Sequence, residues 1–258
     1  MTLPVEQAFL GPDDPDPVIW VNEDSASPLL LVSEHAGNAM PGALGNLGLT
    51  ADVIDSHRGI DIGASSLARA LSDRLDAPLI MQRYSRLVID CNRPPDGAHA
   101  VPEVSDGAVI PGNRGLSRKE QKIRADAIFW PFNAAITAGF ARHPRRLALS
   151  VHSFTRQLDG KPPRPWHAGF LARKKDEVTP KRLLDHIERD DPSLVLAIND
   201  PFQIEDETDW FIPAHAERLG LAHALIEIRN DGLLKSADIE RWADLLSSAI
   251  SSLPEFRP

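Results

Sequence analysis

Cysteine is almost absent from this chain, whose 258 residues include only Cys91. One cysteine cannot form an internal disulfide, which excludes a disulfide-rich secreted scaffold and favours a reducing, cytoplasmic setting. Without a Cys-x-x-Cys pair, a structural zinc site of that kind is excluded as well. The sequence places no base beside Cys91, so we expect a buried, inert thiol.

Net positive charge and long apolar runs are missing too. The chain has 28 Lys and Arg against 37 Asp and Glu, a formal net charge of −9. A duplex nucleic-acid binder needs a basic face, so we expect no nucleic-acid partner. The longest apolar stretches, such as 29–32 and 194–198, fall far short of the ~20 residues that cross a bilayer. The first 17 residues lack the basic region and apolar core of a targeting signal, and we expect a soluble cytoplasmic protein.

Three common catalytic motifs do not occur. The absence of Gly-x-Ser-x-Gly weakens a serine hydrolase interpretation. The absence of Gly-x-Gly-x-x-Gly and of a phosphate-binding loop disfavours dinucleotide and nucleotide chemistry. With 42% hydrophobic and 25% charged residues, the composition is nevertheless that of a globular protein.

Short apolar runs alternate with longer segments of helical periodicity. This alternation predicts an α/β domain with a mostly parallel sheet. Ser117 and Glu120 have the spacing of a capping box at the start of the second helix. We predict one domain over 29–258, preceded by an acidic, proline-rich leader over 1–28. The predicted strands are 29–33, 78–82, 87–91, 147–152, 168–172, 194–198 and 224–228, and the predicted helices are 62–75, 118–138, 180–190, 211–219 and 236–253.

Two long irregular stretches, 92–115 and 159–165, are marked by proline and glycine. Long loops within a compact domain tend to be functional. The first contains four glycines and begins at an Asn-Arg pair, so we predict that it acts as a lid.

Polar side chains follow several predicted strands at the point where each strand ends. Ligands of open α/β sheets bind beyond these carboxyl ends. Two histidines with nearby carboxylates suit Zn²⁺, a further carboxylate can act as a general base, and an arginine can bind a substrate carboxylate. Each residue also has a purely structural interpretation, such as an ion pair between Glu227 and Arg229. The strand-end residues are His35, Asn92, Arg93, His152, Glu227 and Arg229.

Seven segments in order resemble the N-formylglutamate amidohydrolase family. Each segment is weak alone, but together they extend over residues 33–231, most of the chain. They are SEHAGN (33–38), DSHRGIDIGA (55–64), YSRLVIDCNRP (84–94), VHSFTR (151–156), RPWHAGF (164–170), NDPF (199–202) and ALIEIRND (224–231).

The resemblance implies a fold and a metal site. Since the family is distantly similar to the zinc carboxypeptidases and aspartoacylases, it implies a single-domain, three-layer α/β sandwich with a mixed, mostly parallel central sheet. It implies one divalent metal, expected to be Zn²⁺, held by His35 and His152. Asn38 stands where the relatives have the Glu of His-x-x-Glu and is a poor ligand. The third ligand is then expected to be Asp61, with Glu34 as its competitor.

The resemblance also implies roles in hydrolysis of N-formyl-L-glutamate, a small anionic substrate, to formate and glutamate. Glu227 is expected to be the general base for a metal-activated water, and Arg86 is expected to stabilise the oxyanion. Arg93, oriented by Asn92, is expected to bind a substrate carboxylate. The remaining candidates for substrate binding are Arg156, Arg229 and His167.

Three alternatives stay open. The substrate could be another N-acyl amino acid or a small peptide, because SEHAGN differs from the histidine-serine-glycine sequence of the better-known deformylases. The chain could be a non-catalytic binding protein on the same fold, or it could use Mn²⁺ or Fe²⁺.

We also expect a locally positive site within an acidic surface, since six arginines fall in or beside the motif segments: Arg83, Arg86, Arg93, Arg156, Arg164 and Arg229.

Overall fold

The computed structural model describes residues 9–173 and 176–257, so residues 1–8 of the predicted leader lie outside the described part. A seven-stranded sheet runs through its centre, and β4 and β5 form a separate hairpin. The strands are β1 (Val18–Val21), β2 (Leu29–Ser33), β3 (Leu79–Gln82), β4 (Val104–Ser105), β5 (Ala108–Val109), β6 (Leu147–Phe154), β7 (Ala168–Leu171), β8 (Leu196–Ile198) and β9 (Ala222–Arg229).

The sheet is mixed and mostly parallel, with the strand order β1-β3-β2-β6-β9-β7-β8. Strands β3, β2, β6 and β9 are parallel neighbours, whereas β1 is antiparallel to β3 and β7 is antiparallel to β9. The carboxyl ends of β2, β6 and β9 therefore meet at one edge of the sheet. The register of β6 and β9 sets His152 opposite Glu227.

Helices cover both faces of the sheet. Leu29 and Leu31 of β2 pack on one side, and Leu30 and Val32 pack on the other, because successive strand residues point to opposite faces. The first side holds α2, α5 and α6, and the second holds α4 with its preceding turn. The helices are α1 (Ala51–Ile54), α2 (Ala64–Leu75), α3 (Arg118–Arg124), α4 (Trp130–Arg142), α5 (Val178–Asp190) and α6 (Ser236–Ser252), with π-helical turns at Ala125–Phe129 and Ile212–Glu217.

The expected three-layer α/β fold with a mixed sheet is confirmed, as is the capping box of Ser117 and Glu120. None of the helices within residues 9–173 and 176–257 has the length and apolarity that a bilayer crossing requires. Three short strands lie outside the predicted set. Two of them, β4 and β5, form the hairpin inside the 92–115 loop, and the third, β1, comes from the predicted leader and pairs with β3.

The strand predicted at 87–91 is wrong, because this segment is a series of turns. The amide of Val88 donates to the carbonyl of Ser85, and the amide of Asp90 donates to the carbonyl of Ala100, so neither joins the ladder. Leu87, Val88 and Ile89 are nevertheless buried in the core beside α4. The predicted helix at 211–219 is the short π-helical turn, and the one at 118–138 contains such a turn between α3 and α4.

Candidate active site

The carboxyl edge of the sheet brings together residues far apart in the chain. His35 follows β2, while His152 and Glu227 lie on the neighbouring strands β6 and β9. Asp61 precedes α2, and its amide donates to the carbonyl of His35 over 3.1 Å. All four side chains are buried. Gly37 allows the chain to turn after His35, because a Cβ there would lie 2.0 Å from the carbonyl oxygen of Arg83.

Three electron-rich atoms converge at the centre of this group. Nδ1 of His35 lies 3.1 Å from Nδ1 of His152 and 3.3 Å from Oδ2 of Asp61. Nδ1 of His152 lies 2.8 Å from the same oxygen. The backbone amide of Ser153 donates to it as well, over 3.3 Å, and fixes the carboxylate.

The opposite edge of each histidine ring faces a second carboxylate. Nε2 of His35 lies 2.7 Å from Oδ1 of Asp90, and Nε2 of His152 lies 3.0 Å from Oε2 of Glu34. Ser150 donates its hydroxyl to that oxygen over 2.6 Å. Nδ1 of both rings faces Oδ2 of Asp61. A neutral imidazole carries one proton, so a ring whose proton lies on Nε2 could offer Nδ1 to a metal ion at this position.

This donor set fits a divalent metal. Ligand atoms around a tetrahedral Zn²⁺ are ~2.0–2.2 Å from the ion and so roughly 3.3 Å apart, close to the separations in the cluster of His35, Asp61 and His152. Metal-ligating histidines commonly present their other ring nitrogen to a carboxylate; here Nε2 of His35 is hydrogen-bonded to Asp90, and Nε2 of His152 lies within ion-pair distance of Glu34. The three residues could hold a metal and leave a fourth position open.

The pKa shifts in the cluster have the pattern of a cation site. Burial acts to lower the pKa of His152, but the negative charges of Glu34 and Asp61 outweigh it and raise this pKa well above its ordinary value. Burial acts to raise the pKa of Asp61, but His35 and His152 outweigh it and lower this pKa. The surplus of carboxylates around two histidines attracts positive charge.

Glu227 differs from the other carboxylates of the site. Burial is the main cause that raises its pKa to about 7, and Asp61 adds to the effect. Its Oε2 is buried with no hydrogen-bond partner among the described residues. A carboxylate with a raised pKa and a free oxygen at a cavity wall can accept and donate a proton near neutral pH.

Arg86 stands beside the cluster. Its guanidinium donates to Oδ2 of Asp90 through Nη2 over 2.6 Å, and its Nη1 lies 3.4 Å from Oδ1 of Asp61. The charge of Asp90 outweighs the effect of burial on Arg86 and raises its pKa, so the side chain stays cationic. Arg86 therefore provides a fixed positive charge next to the three converging atoms.

Asn92 and Arg93 both line the cavity and share Asp209 as a neighbour. Nδ2 of Asn92 donates to Oδ1 of Asp209 over 3.4 Å, and Nη1 of Arg93 lies 3.9 Å from Oδ2. Oδ1 of Asn92 also accepts the amide of Phe211 over 3.0 Å, which ties this wall to the π-helical turn that follows. The sequence analysis missed Asp209, for which no strand end or motif was a signal.

Three predicted substrate-binding residues lie away from the cavity, whose lining does not include them. Arg156 is exposed. Arg229 donates to Asp231 over 2.8 Å, and its Nη1 lies 3.2 Å from the carbonyl of Trp166. His167 accepts the amide of Val195 at Nδ1 over 2.8 Å. Arg229 and His167 thus hold the chain around β7, and their role in substrate binding stays a prediction, as does that of Arg156.

The cavity has a volume of about 570 Å³, and the 92–115 loop forms one of its walls. At the tip of the β4–β5 hairpin, Oδ2 of Asp106 lies 2.8 Å from Nε2 of His57. The backbone carbonyl oxygen of Asp106 also accepts a hydrogen bond from Nε of Arg58. His57 lines the cavity and was not among the predicted site residues, although it belongs to the same DSHRGIDIGA segment as Asp61. The lid role of this loop stays a prediction.

Arg164 also lines the cavity, and its guanidinium lies over two aromatic rings. Its guanidinium carbon is 5.7 Å from the ring centre of Phe154 and 5.0 Å from that of Phe202. Burial lowers its pKa, and the charges of Glu227 and Asp106 oppose this effect. Of the six arginines expected to make the site positive, Arg86, Arg93 and Arg164 line the cavity, but with Arg58 they face five lining carboxylates, so arginines do not outnumber carboxylates there.

Comparisons with known proteins agree with the motif segments. A family model described as N-formylglutamate amidohydrolase matches residues 27–234. The structure of gene product Atu2144 from Agrobacterium tumefaciens is 35% identical, with a TM-score of 0.85 over 95% of this chain and 98% of that one. The N-formylglutamate amidohydrolase from Ralstonia eutropha JMP134 shares the fold at 20% identity, with a TM-score of 0.65 over 90% and 95% of the two chains. The search of curated proteins gives no significant match.

Proposed function

We propose that this chain, which belongs to the N-formylglutamate amidohydrolase family and is a hydrolase of amide bonds, cleaves N-formyl-L-glutamate or a similar N-acyl amino acid. The proposed reaction takes place in the cytoplasm and uses Zn²⁺ as its metal. The observation that carries the proposal is the convergence of two histidine nitrogens and one Asp61 oxygen within 3.3 Å, in the same cavity as the buried carboxylate of Glu227.

His35, Asp61 and His152 would hold the metal. When bound, such an ion supplies Lewis acidity, which lowers the pKa of water and polarises a carbonyl group. With a metal bound through Nδ1, each neutral ring would carry its proton on Nε2, which faces Asp90 in His35 and Glu34 in His152.

Glu227 is the proton carrier in the proposed reaction. Its free Oε2 accepts a proton from the water that attacks the acyl carbon and then delivers that proton to the leaving amine nitrogen. Burial raises the pKa of Glu227 above that of an exposed carboxylate, which makes it a stronger proton acceptor. Arg86 stabilises the negative charge that develops on the acyl oxygen.

Arg93 binds the α-carboxylate of the substrate. It lines the cavity, and its nearest carboxylates, Asp90 and Asp209, lie 3.8 and 3.9 Å away, so its guanidinium keeps donors for a ligand. Asn92 and Asp209 form the wall that positions it. Because Arg93 would hold the α-carboxylate in a fixed position, the amide bond would be oriented for attack by water.

The size of the cavity favours a second candidate substrate class. About 570 Å³ is typical of pockets for drug-sized ligands and exceeds what N-formylglutamate needs. An N-acyl amino acid with a longer acyl group, or a small peptide, would fit the same machinery.

The test is release of formate from N-formyl-L-glutamate by the purified protein, with and without a chelator. We expect activity that the chelator abolishes and Zn²⁺ restores. Glu227→Gln should lower kcat by about 10²- to 10⁴-fold with its metal content unchanged. The matched control is Glu188→Gln on the exposed side of α5, which should keep wild-type activity. Full activity of Glu227→Gln, or of metal-free protein, would contradict the mechanism.

A further inference from the structure

Arg164 is held by its neighbours rather than by a counter-ion. The rings of Phe154 and Phe202 lie on its guanidinium, an arrangement that favours a planar cation on aromatic faces. Its only side-chain hydrogen bond among the described residues runs from Nη1 to the carbonyl of Thr155, over 3.1 Å. The remaining donors, at Nε and Nη2, have no hydrogen-bond partner in the described part of the chain.

The other arginines of the cavity all lie close to carboxylates. Arg58 is 2.8 Å from Asp159, Arg86 is 2.6 Å from Asp90, and Arg93 has a carboxylate within 4.0 Å. Arg164 forms no ion pair within residues 9–173 and 176–257, although Glu227 and Asp106 act on it from a longer distance. A half-buried guanidinium without a paired carboxylate, in the wall of a cavity, has the properties of an anion site.

We infer that Arg164 is the specificity residue for an acidic side chain and binds the distal carboxylate of an N-acyl amino acid, an inference that rests on the proposed function. The aromatic contacts leave the N–H donors at Nε and Nη2 free, and an arginine can bind a carboxylate through two parallel hydrogen bonds from these positions. Arg93 stands on the wall with Asp209 and binds the α-carboxylate, which leaves the distal group for Arg164.

The test compares kcat/KM for N-formyl-L-glutamate and N-formyl-L-glutamine, which have the same shape and differ in the side-chain charge. The wild-type protein should prefer the glutamate substrate. Arg164→Gln should lower kcat/KM for it by about 10- to 100-fold, the loss of one charged hydrogen-bonded contact, and should change the glutamine substrate little. Lys161→Gln removes a positive charge from the same loop at an exposed position and should keep the wild-type preference.

Two measurements guard against an unfolded variant. Thermal melting shows whether Arg164→Gln is folded, and Arg164→Lys keeps the charge without the planar fork. We expect Arg164→Lys to retain part of the preference for glutamate. Equal losses on both substrates in Arg164→Gln, with the protein folded, would overturn the inference.

A binding experiment separates this inference from the proposed function. Calorimetry measures binding of L-glutamate and L-glutamine, neither of which has an acyl group to lose. Tighter binding of L-glutamate that Arg164→Gln abolishes supports the subsite even if N-formyl-L-glutamate is not hydrolysed. Hydrolysis of N-formyl-L-glutamate with a preference that survives in Arg164→Gln overturns the subsite and leaves the proposed function intact.

Discussion

Oε2 of Glu34 lies 3.0 Å from Nε2 of His152, on the opposite side of that ring from the nitrogen that faces Asp61. Glu34 and His35 are adjacent in sequence, in the turn that follows β2, but their side chains reach different parts of the site. Glu34 therefore contacts the outer edge of one histidine, while His35 contributes Nδ1 to the cluster. This geometry favours Asp61 over Glu34 as the third ligand.

Glu34→Gln should weaken metal binding without abolishing it. The amide removes the negative charge that holds the proton of His152 on Nε2, and loss of such an outer partner typically costs about 10- to 100-fold in affinity. Competition with a chromophoric chelator measures the change. Ser150→Ala removes only the hydroxyl that orients Glu34 and should have a smaller effect. Unchanged affinity in Glu34→Gln would show that the contact has no influence on the metal.

Asp61→Asn should abolish stabilisation by zinc. A metal that binds only the folded state raises Tm, so the wild-type protein should melt at a higher temperature with Zn²⁺ than with a chelator. The variant lacks the charged ligand and should show little difference. Differential scanning calorimetry makes the comparison. A full shift in Asp61→Asn together with none in Glu34→Gln would instead identify Glu34 as the ligand.

Gly37→Ala should destabilise the protein and displace His35. The added methyl group would lie 2.0 Å from the carbonyl oxygen of Arg83, and backbone must move to accommodate it. We expect a loss of about 1–3 kcal/mol or more in the free energy of unfolding, measured with urea. Gly11→Ala is the control, since its nearest atom is at an ordinary contact distance of 3.7 Å. Equal stability of the two variants would contradict the tight approach at Gly37.

His215 should make the protein less stable in acid. Burial lowers its pKa to about 4 in the folded state, compared with about 6.5 in an unfolded chain. As pH falls from about 6.5 to 4, the unfolded chain binds a proton that the folded chain does not, so the free energy of unfolding falls by up to about 3 kcal/mol. His215→Gln should lose less stability over this range in urea titrations. Parallel losses in the two proteins would rule out this contribution.

The outline of the fold and the centre of the site could be predicted from sequence. Apolar runs of strand length located the core strands, because a parallel sheet covered on both faces needs such runs. The polar residues at their ends, His35, His152 and Glu227, had to meet because parallel neighbours end at one edge. The run at 87–91 could not be resolved in this way, because a buried turn and a buried strand are equally apolar.

The sequence by itself determined which residue types stand at the strand ends and therefore what chemistry the edge of the sheet can carry. Only the tertiary structure shows that the carboxylate of Asp61, rather than that of Glu34, lies beside Nδ1 of both histidines, and that Arg164, rather than Arg156 in the same connecting loop, lines the cavity. Spacing along a strand sets the direction of a side chain, but the path of a loop depends on distant contacts. The rings of Phe154 and Phe202 hold Arg164 in the cavity wall, whereas Arg156 is left exposed.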